Sequence, residues 1–264
     1  MKRTNLFLFM LLLAVVISAC TSNNKYAVII SANAEWKALK KVYPDESYQK
    51  SAWGDFFFKE VSGQKILFFH EGWGKVSAAG ATQYVIDKFN PEVLINIGTC
   101  GGFEGYVERS EVILADTTII YDIVEAMGDS RQAIADYTTP IDLSWLGDTM
   151  PVKVRRTVLV SADKDLRKDE IAFLKKEYRA VAGDWETGAI AYVAKRNGKK
   201  VLIIRGVTDL VSAGKDEVYG NFELFEQRTD SLMKKLLDDL PLWIGHLEKV
   251  RDHIQSQRLS DKNN

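Results

Sequence analysis

Hydrophobic residues along the chain form two kinds of segment: short apolar runs, and longer stretches in which apolar residues recur every three or four positions. The short runs indicate strands buried on both faces, and the longer stretches indicate helices with one apolar face. Predicted strands cover residues 26–31, 56–61, 65–70, 93–97, 112–120, 156–161, 179–182 and 201–207. Predicted helices cover residues 36–42, 75–89, 166–178, 187–197 and about 222–240.

The alternation of these strands and helices predicts an α/β fold. We expect one domain over residues 26–250, an αβα sandwich around a central mixed, largely parallel sheet, followed by a polar tail at 251–264. The second and third strands form a hairpin around Ser62-Gly63-Gln64, and Pro241 is expected to end the last helix. The weak pattern over residues 125–149 predicts a loop with short helical turns.

The first twenty residues, MKRTNLFLFMLLLAVVISAC, have the layout of a secretory signal. Their apolar run from Leu6 to Ile17 is 12 residues long, short of the roughly 20 that span a bilayer as a helix. The ending ISAC resembles a bacterial lipobox. We therefore expect a signal at 1–19, a lipidated Cys20 with a linker at 20–25, and a location outside the cytoplasm, held to the membrane by the lipid anchor alone. An ordinary signal peptide or an uncleaved anchor is the alternative.

Composition excludes several classes of function. The 35 basic and 36 acidic residues are near balance, and no basic run interleaved with aromatic residues points to a nucleic acid. The three histidines lack the spacing of metal ligands, so a zinc site is not expected. Two cysteines give no disulfide framework, and GxSxG and Walker motifs are absent.

Polar clusters follow four of the predicted strands, and these clusters are the candidate chemistry of the chain. They are SANAEW (31–36), GTCGG (98–102), GDWETG (183–188) and RGVTD (205–209). Each has a simple structural interpretation, such as a helix cap at Asp184 or an ion pair of Arg205. In a parallel sheet, however, the carboxyl ends of strands meet at the edge where ligands bind. Four clusters at that edge predict a binding or catalytic site.

Two long segments, GWGKVSAAGATQYVIDKFNPEVLINIGTCGG (72–102) and GDWETGAIAYVAKRNGKKVLIIRGVTDL (183–210), resemble the nucleoside phosphorylase/nucleosidase superfamily. The most similar branch is the methylthioadenosine/S-adenosylhomocysteine nucleosidases. The resemblance runs from about Tyr26 to Leu240 and is poor across residues 125–152. It implies the superfamily fold, cleavage of the N-glycosidic bond of a purine nucleoside, no cofactor, and a homodimer.

The resemblance also implies roles for individual residues. Asp209 matches the aspartate that protonates purine N7 as the glycosidic bond breaks, and Glu186 matches the acid that binds the ribose hydroxyls. Arg205 matches an arginine that helps to hold the water nucleophile. Thr99 stands near the ribose or the water, and Trp185 takes the place of an apolar residue packed against the sugar.

Gly101, in the GTCGG cluster, is expected to let the backbone approach the ligand closely. These roles fit the chemistry, because a departing purine anion needs a proton and the oxocarbenium-like sugar favours a nearby carboxylate.

The sequence departs from the superfamily pattern after the first strand. There the nucleosidases carry a run of glutamates whose last member polarises the water, and this chain places Trp36 at that position with Glu35 one residue earlier. Glu35 takes over through a one-residue shift, or the water is activated differently, or activity is lost. We favour Glu35, although an ordinary acid in the first turn of a helix gives the same sequence.

A second departure from the superfamily pattern leaves the specificity for the purine base undetermined. The phenylalanine that commonly stacks on the purine in this family is missing just after Ser161-Ala162-Asp163-Lys164-Asp165-Leu166, and the 125–152 region is the alternative source of aromatic stacking.

Two loops favour hydrolysis over phosphorolysis. The loop at 31–36 lacks the arginine that phosphorylases of this superfamily typically use to bind phosphate, and Gly74-Lys75-Val76 resembles the nucleosidase version of the next loop. We predict a purine nucleosidase, and its location favours adenosine or inosine over a thioether nucleoside. A phosphorylase and a non-catalytic nucleoside-binding lipoprotein are the alternatives.

Overall fold

The structure of the protein is a computed structural model that describes residues 24–262 except 213–217 and 219. The expected signal at 1–19, Cys20 and the start of the linker lie outside the described residues. Within the described part of the chain, no helix combines the length and the apolar character needed to cross a bilayer.

Ten strands and six α-helices are present in the described part of the chain, in an alternating order that confirms the α/β prediction. The strands are β1 (Tyr26–Ile30), β2 (Gln49–Lys50), β3 (Asp55–Val61), β4 (Gln64–His70), β5 (Val93–Phe103), β6 (Val112–Ile120), β7 (Thr138–Pro140), β8 (Arg155–Ser161), β9 (Ala182–Asp184) and β10 (Lys200–Val211). The helices are α1 (Asn33–Val42), α2 (Lys75–Phe89), α3 (Ser130–Asp136), α4 (Ile171–Tyr178), α5 (Thr187–Arg196) and α6 (Phe222–Lys262).

All ten strands belong to one mixed sheet, which closes on itself at one end. Strands β5, β10, β6, β8 and β9 form a ring in which each pairs with the next and β9 pairs with β5. From β5 the sheet continues outward through β1, β4 and β3 to β2. The parallel pairings are β1 with β4 and β5, β5 with β10, and β8 with β6 and β9.

Two helical layers cover the sheet, as predicted for an αβα sandwich. On one face, α1 and α6 bury residues such as Leu39, Met233 and Leu236 against β1, β5 and β10. On the other face, α2 and α5 bury Ala81 and Ile190 among others. Because the parallel strands β1, β5 and β10 run in one direction between these layers, their carboxyl ends lie at a single edge.

Several predicted element boundaries were wrong, and β5, for example, extends to Phe103 instead of ending at Ile97. The last helix does not end before Pro241 but runs through it to Lys262. The helix expected from Leu166 begins only at Ile171. The strand expected at 179–182 lies at Ala182–Asp184, because Arg179 adopts a left-handed conformation that ends α4.

The hairpin was predicted correctly, since Ser62 and Gly63 form a two-residue turn with φ values of 51° and 74°.

Candidate active site

A cavity of about 640 Å³ opens at the edge of the sheet where β1, β5, β9 and β10 end. Its walls contain six of the seven residues predicted for the site: Glu35, Thr99, Gly101, Trp185, Glu186 and Asp209. The seventh, Arg205, is fully buried just behind them. The structure therefore brings the four polar clusters together. Among the described residues, no group of three or more His, Cys, Asp or Glu side chains is arranged to hold a metal ion.

Glu35 lies in the first turn of α1, with its carboxylate directed into the sheet edge rather than into solvent. Its Oε1 accepts hydrogen bonds from the backbone N–H and Oγ1 of Thr99, at 2.6 and 2.9 Å. Its Oε2 accepts from the backbone N–H of Ala32 at 3.2 Å, and the side chain is almost completely buried. A first-turn acid that served only the helix would face solvent, so these contacts give Glu35 a place in the site.

Trp36 points away from the cavity into the core beneath α1. Its ring stacks on His70 at 5.1 Å between ring centres and packs on Phe57 and Tyr48. Burial lowers the pKa of His70, so this stack holds a neutral imidazole at neutral pH. The position that carries the glutamate in the nucleosidase pattern is therefore used here for packing, and its neighbour Glu35 supplies the carboxylate at the cavity.

Arg205 is the cation at the centre of the site, and three carboxylates surround it. Its Nη1 lies 3.3 Å from Glu35 Oε1, its Nε 3.3 Å from Asp184 Oδ2, and its Nη2 3.8 Å from Glu186 Oε2. Burial alone would lower the pKa of Arg205, but these three acids outweigh that effect and raise it, so the guanidinium stays charged. A buried cation with three acidic partners fixes those acids relative to each other.

Gly98 makes room for this guanidinium. A Cβ atom at Gly98 would lie 2.1 Å from Arg205 Nη1 and 2.7 Å from Glu35 Oε1. Any larger residue at position 98 would therefore push the ion pair apart.

Asp184 and Glu186 lie on either side of Trp185 at the start of α5. Asp184 Oδ1 caps the helix by accepting from the backbone N–H groups of Glu186 and Thr187, so its simple structural interpretation holds alongside its ion pair with Arg205. Glu186 Oε1 accepts from the backbone N–H of Gly74 at 3.1 Å. Burial raises the pKa of Glu186 well above its usual range, an effect that Arg205 opposes and Asp184 reinforces.

Asp209 reaches the cavity because β10 contains a bulge. Val207 pairs with Cys100 and Asp209 with Gly101, so Thr208 is one residue more than β5 supplies. Val207 and Leu210 both face Gly102, whereas Asp209 is turned to the side of Gly101, at the cavity. Its Oδ1 accepts from Thr208 Oγ1 at 2.6 Å.

Aromatic and aliphatic side chains form the rest of the cavity wall. Trp185 packs against Trp73 with ring centres 4.6 Å apart. Phe222 and Phe225, both on α6, also line the cavity. Leu166, the last residue of the motif after which the stacking phenylalanine is absent, packs over Gly101 and Gly183. The aromatic residues that line the cavity come from 73, 185, 222 and 225, and not from the 125–152 segment proposed as an alternative source.

Sequence reasoning missed Trp73 and the buried Glu71. The sequence contained a signal for Trp73, because a residue between two glycines, here Gly72 and Gly74, indicates a tight loop. The structure has that loop before α2, with φ values of 81° and 84° at the two glycines. Glu71 carried no such signal, since a single acid after a strand is common.

Comparison with known proteins places this geometry in a family. The Phosphorylase superfamily matches residues 25–240, which is most of the chain. The chain belongs to the phosphorylase superfamily.

Curated relatives within the superfamily are similar along most of their length. The 5′-methylthioadenosine/S-adenosylhomocysteine nucleosidase of Buchnera aphidicola (subsp. Acyrthosiphon pisum) is 26% identical over 196 residues, 70% of this chain and 84% of the relative. The enzyme of the same name from Thermotoga maritima is 29% identical over 173 residues, 64% of this chain and 78% of the relative.

Two solved structures share the fold. The 5′-methylthioadenosine/S-adenosylhomocysteine nucleosidase of S. pneumoniae, solved with the transition-state inhibitor MT-ImmA, has a TM-score of 0.67 at 17% identity and covers 84% of this chain and 99% of its own. The futalosine hydrolase of Helicobacter pylori strain 26695 has a TM-score of 0.64 at 16% identity, covering 82% and 98%.

Proposed function

We propose that this superfamily member is a nucleosidase that hydrolyses the N-glycosidic bond of a purine nucleoside to free base and sugar. One observation carries the proposal: Glu35, Glu186 and Asp209 line a single cavity, two of them held by the same buried arginine. The names of the relatives, nucleosidases that act on methylthioadenosine and S-adenosylhomocysteine, support the same reaction.

Each of the three carboxyl groups has a separate role in breaking the N-glycosidic bond. Asp209 donates a proton to purine N7, because an anionic purine is a poor leaving group. Glu186 accepts hydrogen bonds from the ribose hydroxyls, and these bonds favour its ionised form over the protonated form that burial favours. The ionised carboxylate then stabilises the positive charge that develops on the sugar.

Glu35 directs the water. The backbone N–H and Oγ1 of Thr99, together with Arg205, hold its carboxylate at the cavity wall. A water that donates to Glu35 is oriented for attack on the ribose carbon and gives up its proton to that carboxylate as the new bond forms.

The charges at the cavity favour water over phosphate as the nucleophile. Lys164 is the one cationic side chain among the described residues that line the cavity, and its Nζ pairs with Glu170 at 2.5 Å. Arg205 is surrounded by its three acids. Among the described residues, a phosphate dianion would therefore meet Glu35 with no cation left to compensate its charge.

Two further properties belong to the proposal. We place the domain outside the cytoplasm on a lipid at Cys20, supported by the ISAC ending and the short linker to β1. We also propose a homodimer, supported by the superfamily resemblance and by the exposed apolar side chains of Trp73 and Val76 beside the cavity, 60% and 80% accessible.

The test is base release by the full chain purified in detergent. Adenosine, inosine, guanosine, methylthioadenosine and S-adenosylhomocysteine are each offered with and without phosphate, and the products are separated. Release without phosphate, yielding the free sugar, is expected. Release that requires phosphate and yields a sugar phosphate contradicts hydrolysis.

The remaining alternative, a nucleoside-binding lipoprotein, gives a different result in the same experiment. It binds nucleoside without releasing base, and Glu186→Gln weakens that binding while Glu35→Gln leaves it intact.

A further inference from the structure

Glu71 is a buried acid next to the site that takes no direct part in lining it. It follows β4, and its backbone N–H donates to Ile30 O at 2.9 Å, which extends the pairing of β4 with β1 past His70. Its side chain has no accessible surface and is absent from the cavity wall. An acid buried this deeply needs hydrogen-bond partners, and the partners indicate its role.

Two hydroxyl groups contact the carboxyl of Glu71. Ser31 Oγ, at the end of β1, donates to Oε1 at 2.6 Å, and Thr82 Oγ1, on α2, lies 3.3 Å from Oε2. The Ser31 contact has a normal length for a hydroxyl–carboxyl hydrogen bond, and both residues are completely buried.

Ser31 connects Glu71 to the central arginine. A serine hydroxyl has one proton, so when Ser31 donates it to Glu71 its lone pairs are left to accept from Arg205 Nη2, 3.5 Å away. Glu71 thereby sets the direction of the hydrogen bond between Ser31 and the guanidinium.

Arg205 depends on that acceptor. Its Nη1 group is shared between Glu35 Oε1 and Thr99 O, both at 3.3 Å, while Nη2 lies 3.5 Å from Ser31 Oγ and 3.8 Å from Glu186. The Ser31 contact is the shorter of the two at Nη2, so it contributes to the orientation of the guanidinium plane, and through Nη1 to the position of Glu35.

Charge also favours an acceptor that is neutral. Arg205 already faces Glu35, Asp184 and Glu186, and a fourth ionised acid would add repulsion to the cluster. Burial raises the pKa of Glu71 to about 8 against the opposing effects of Ser31, Arg205 and Thr82, with Glu35 adding to the rise. A protonated Glu71 still accepts from Ser31 with its carbonyl oxygen and donates its own proton to Thr82.

We propose that Glu71 is a positioning residue of the proposed hydrolysis, on which this inference rests. Through Ser31 it orients Arg205 and so holds Glu35 where it directs the water. Neither Glu71 nor Ser31 reaches the substrate, so the effect belongs to the chemical step more than to binding.

The experiment compares four variants of the full chain by base release and thermal melting. Glu71→Met keeps the length of the side chain but offers Ser31 only a weakly accepting sulfur, Ser31→Ala removes the connecting hydroxyl, and Glu71→Gln keeps an acceptor for Ser31 and a donor for Thr82. Thr139→Val is the control, because its hydroxyl is equally buried but lies on β7, outside the site.

Glu71→Met and Ser31→Ala are each expected to lower kcat by about 10- to 100-fold with KM changed less than about threefold, as for a misplaced catalytic group. Glu71→Gln and Thr139→Val are expected to stay within about threefold of wild type. The double variant of Ser31→Ala and Glu71→Met is expected to be no slower than either single variant, since both break one connection.

A folded Glu71→Met or a Ser31→Ala with wild-type kcat overturns the proposal. So does a Glu71→Gln as slow as Glu71→Met, because that result makes charge and not hydrogen-bond direction the important property. If Glu71→Met does not fold, Ser31→Ala and Glu71→Gln decide the question. A wild-type protein that releases no base from any nucleoside contradicts the proposed function itself, a result distinct from any difference among variants.

Discussion

Glu35 and Trp36 show how one position in a helix separates two functions. Successive residues of an α-helix point about 100° apart, so the start of α1 at Asn33 sends Glu35 to the cavity and Trp36 into the aromatic cluster with His70. The sequence placed the acid one residue before its position in the nucleosidase pattern. The helix geometry shows that the offset preserves a carboxylate at the site.

Separate substitutions of Glu35 and Trp36 test this assignment. Glu35→Gln is expected to lower kcat for base release by about 100-fold or more, since general acid–base groups typically contribute that much. Trp36→Phe is the matched control, because it keeps an aromatic ring on His70 and is expected to retain most of the wild-type kcat. A Trp36→Phe enzyme as slow as Glu35→Gln contradicts the assignment.

Glu71 makes the stability of the protein depend on pH in a predictable direction. Its pKa is about 8 in the folded protein against 4.5 for an ordinary glutamate, so between those values the folded state binds a proton that the unfolded state has lost. The stabilising effect of that proton is complete below pH 4.5 and is lost as the pH rises through 8.

The variant Glu71→Gln has no proton to lose at this position. Its melting temperature relative to wild type is therefore expected to increase steadily as the pH is raised from about 5 to about 8. Thermal melts of both proteins at four pH values in this range measure the difference. A difference that stays constant across the range shows that Glu71 does not titrate there.

At the scale of elements, α6 contradicts a sequence rule for a physical reason. A proline inside a helix removes one hydrogen bond and crowds the preceding turn, which argued for an end at Leu240. The residues after Pro241 instead bury Trp243, Ile244 and Leu247 against the core beneath the sheet. That burial outweighs the cost of the proline, and a rule based on local geometry could not detect it.

Substitutions at two adjacent positions on α6 test how much burial beyond Pro241 stabilises the protein. Trp243 is 1% accessible and Leu242 is 54% accessible. Trp243→Ala is expected to lower the free energy of unfolding by about 3–5 kcal/mol, and Leu242→Ala by about 0.5 kcal/mol or less. Urea unfolding of both variants tests the pair. Similar losses in the two would contradict the packing of the helix beyond Pro241.

The strands were predictable to a greater extent than the helices. Runs such as residues 26–31 and 201–207 are apolar on both faces, which few other structures explain, and the structure has strands there. The start of α4 was placed five residues early, because Leu166 belongs to the cavity wall and its burial imitates helical periodicity. The short strands β2 and β7 contain too few residues to form a pattern.

At the scale of the molecule, the candidate site was largely predictable because the clusters lie at strand ends. The sheet topology brought them together as expected. What the sequence could not give was the direction of individual side chains. In a regular strand Arg205 and Asp209 would lie on one face, and the bulge at Thr208 instead puts Asp209 at the cavity with Arg205 behind it.

The chain enters the domain at the edge of the sheet opposite the cavity. Lys25 O accepts from the backbone N–H groups of Glu92 and Val93 where β5 begins, and β5 then reaches the cavity at Thr99. Six residues of strand separate these points by roughly 20 Å. A lipid at Cys20 would therefore be attached at the end of the domain opposite the cavity.

The two cysteines provide a test of this attachment. The full chain, expressed in a bacterium, is expected to partition into the detergent phase of Triton X-114, and Cys20→Ser with the signal still cleaved is expected to partition into the aqueous phase. Cys100→Ser is the control, because Cys100 is buried in β5. Detergent partitioning by a Cys20→Ser protein whose signal has been cleaved contradicts lipidation at this residue.

The closed ring of strands also determines how copies of the protein behave when they are crowded together. Among the described strands, β2 and β7 are the two that have a neighbour on one side only, and they are two and three residues long. β7 ends at Pro140, and the part of β3 not covered by β2 carries Lys59 and Glu60. Edges that are short, contain proline or carry charged side chains are poor templates for edge-to-edge pairing. We therefore expect the edges of this sheet to resist strand-to-strand pairing between copies, even at the high local concentration that attachment to a surface would impose.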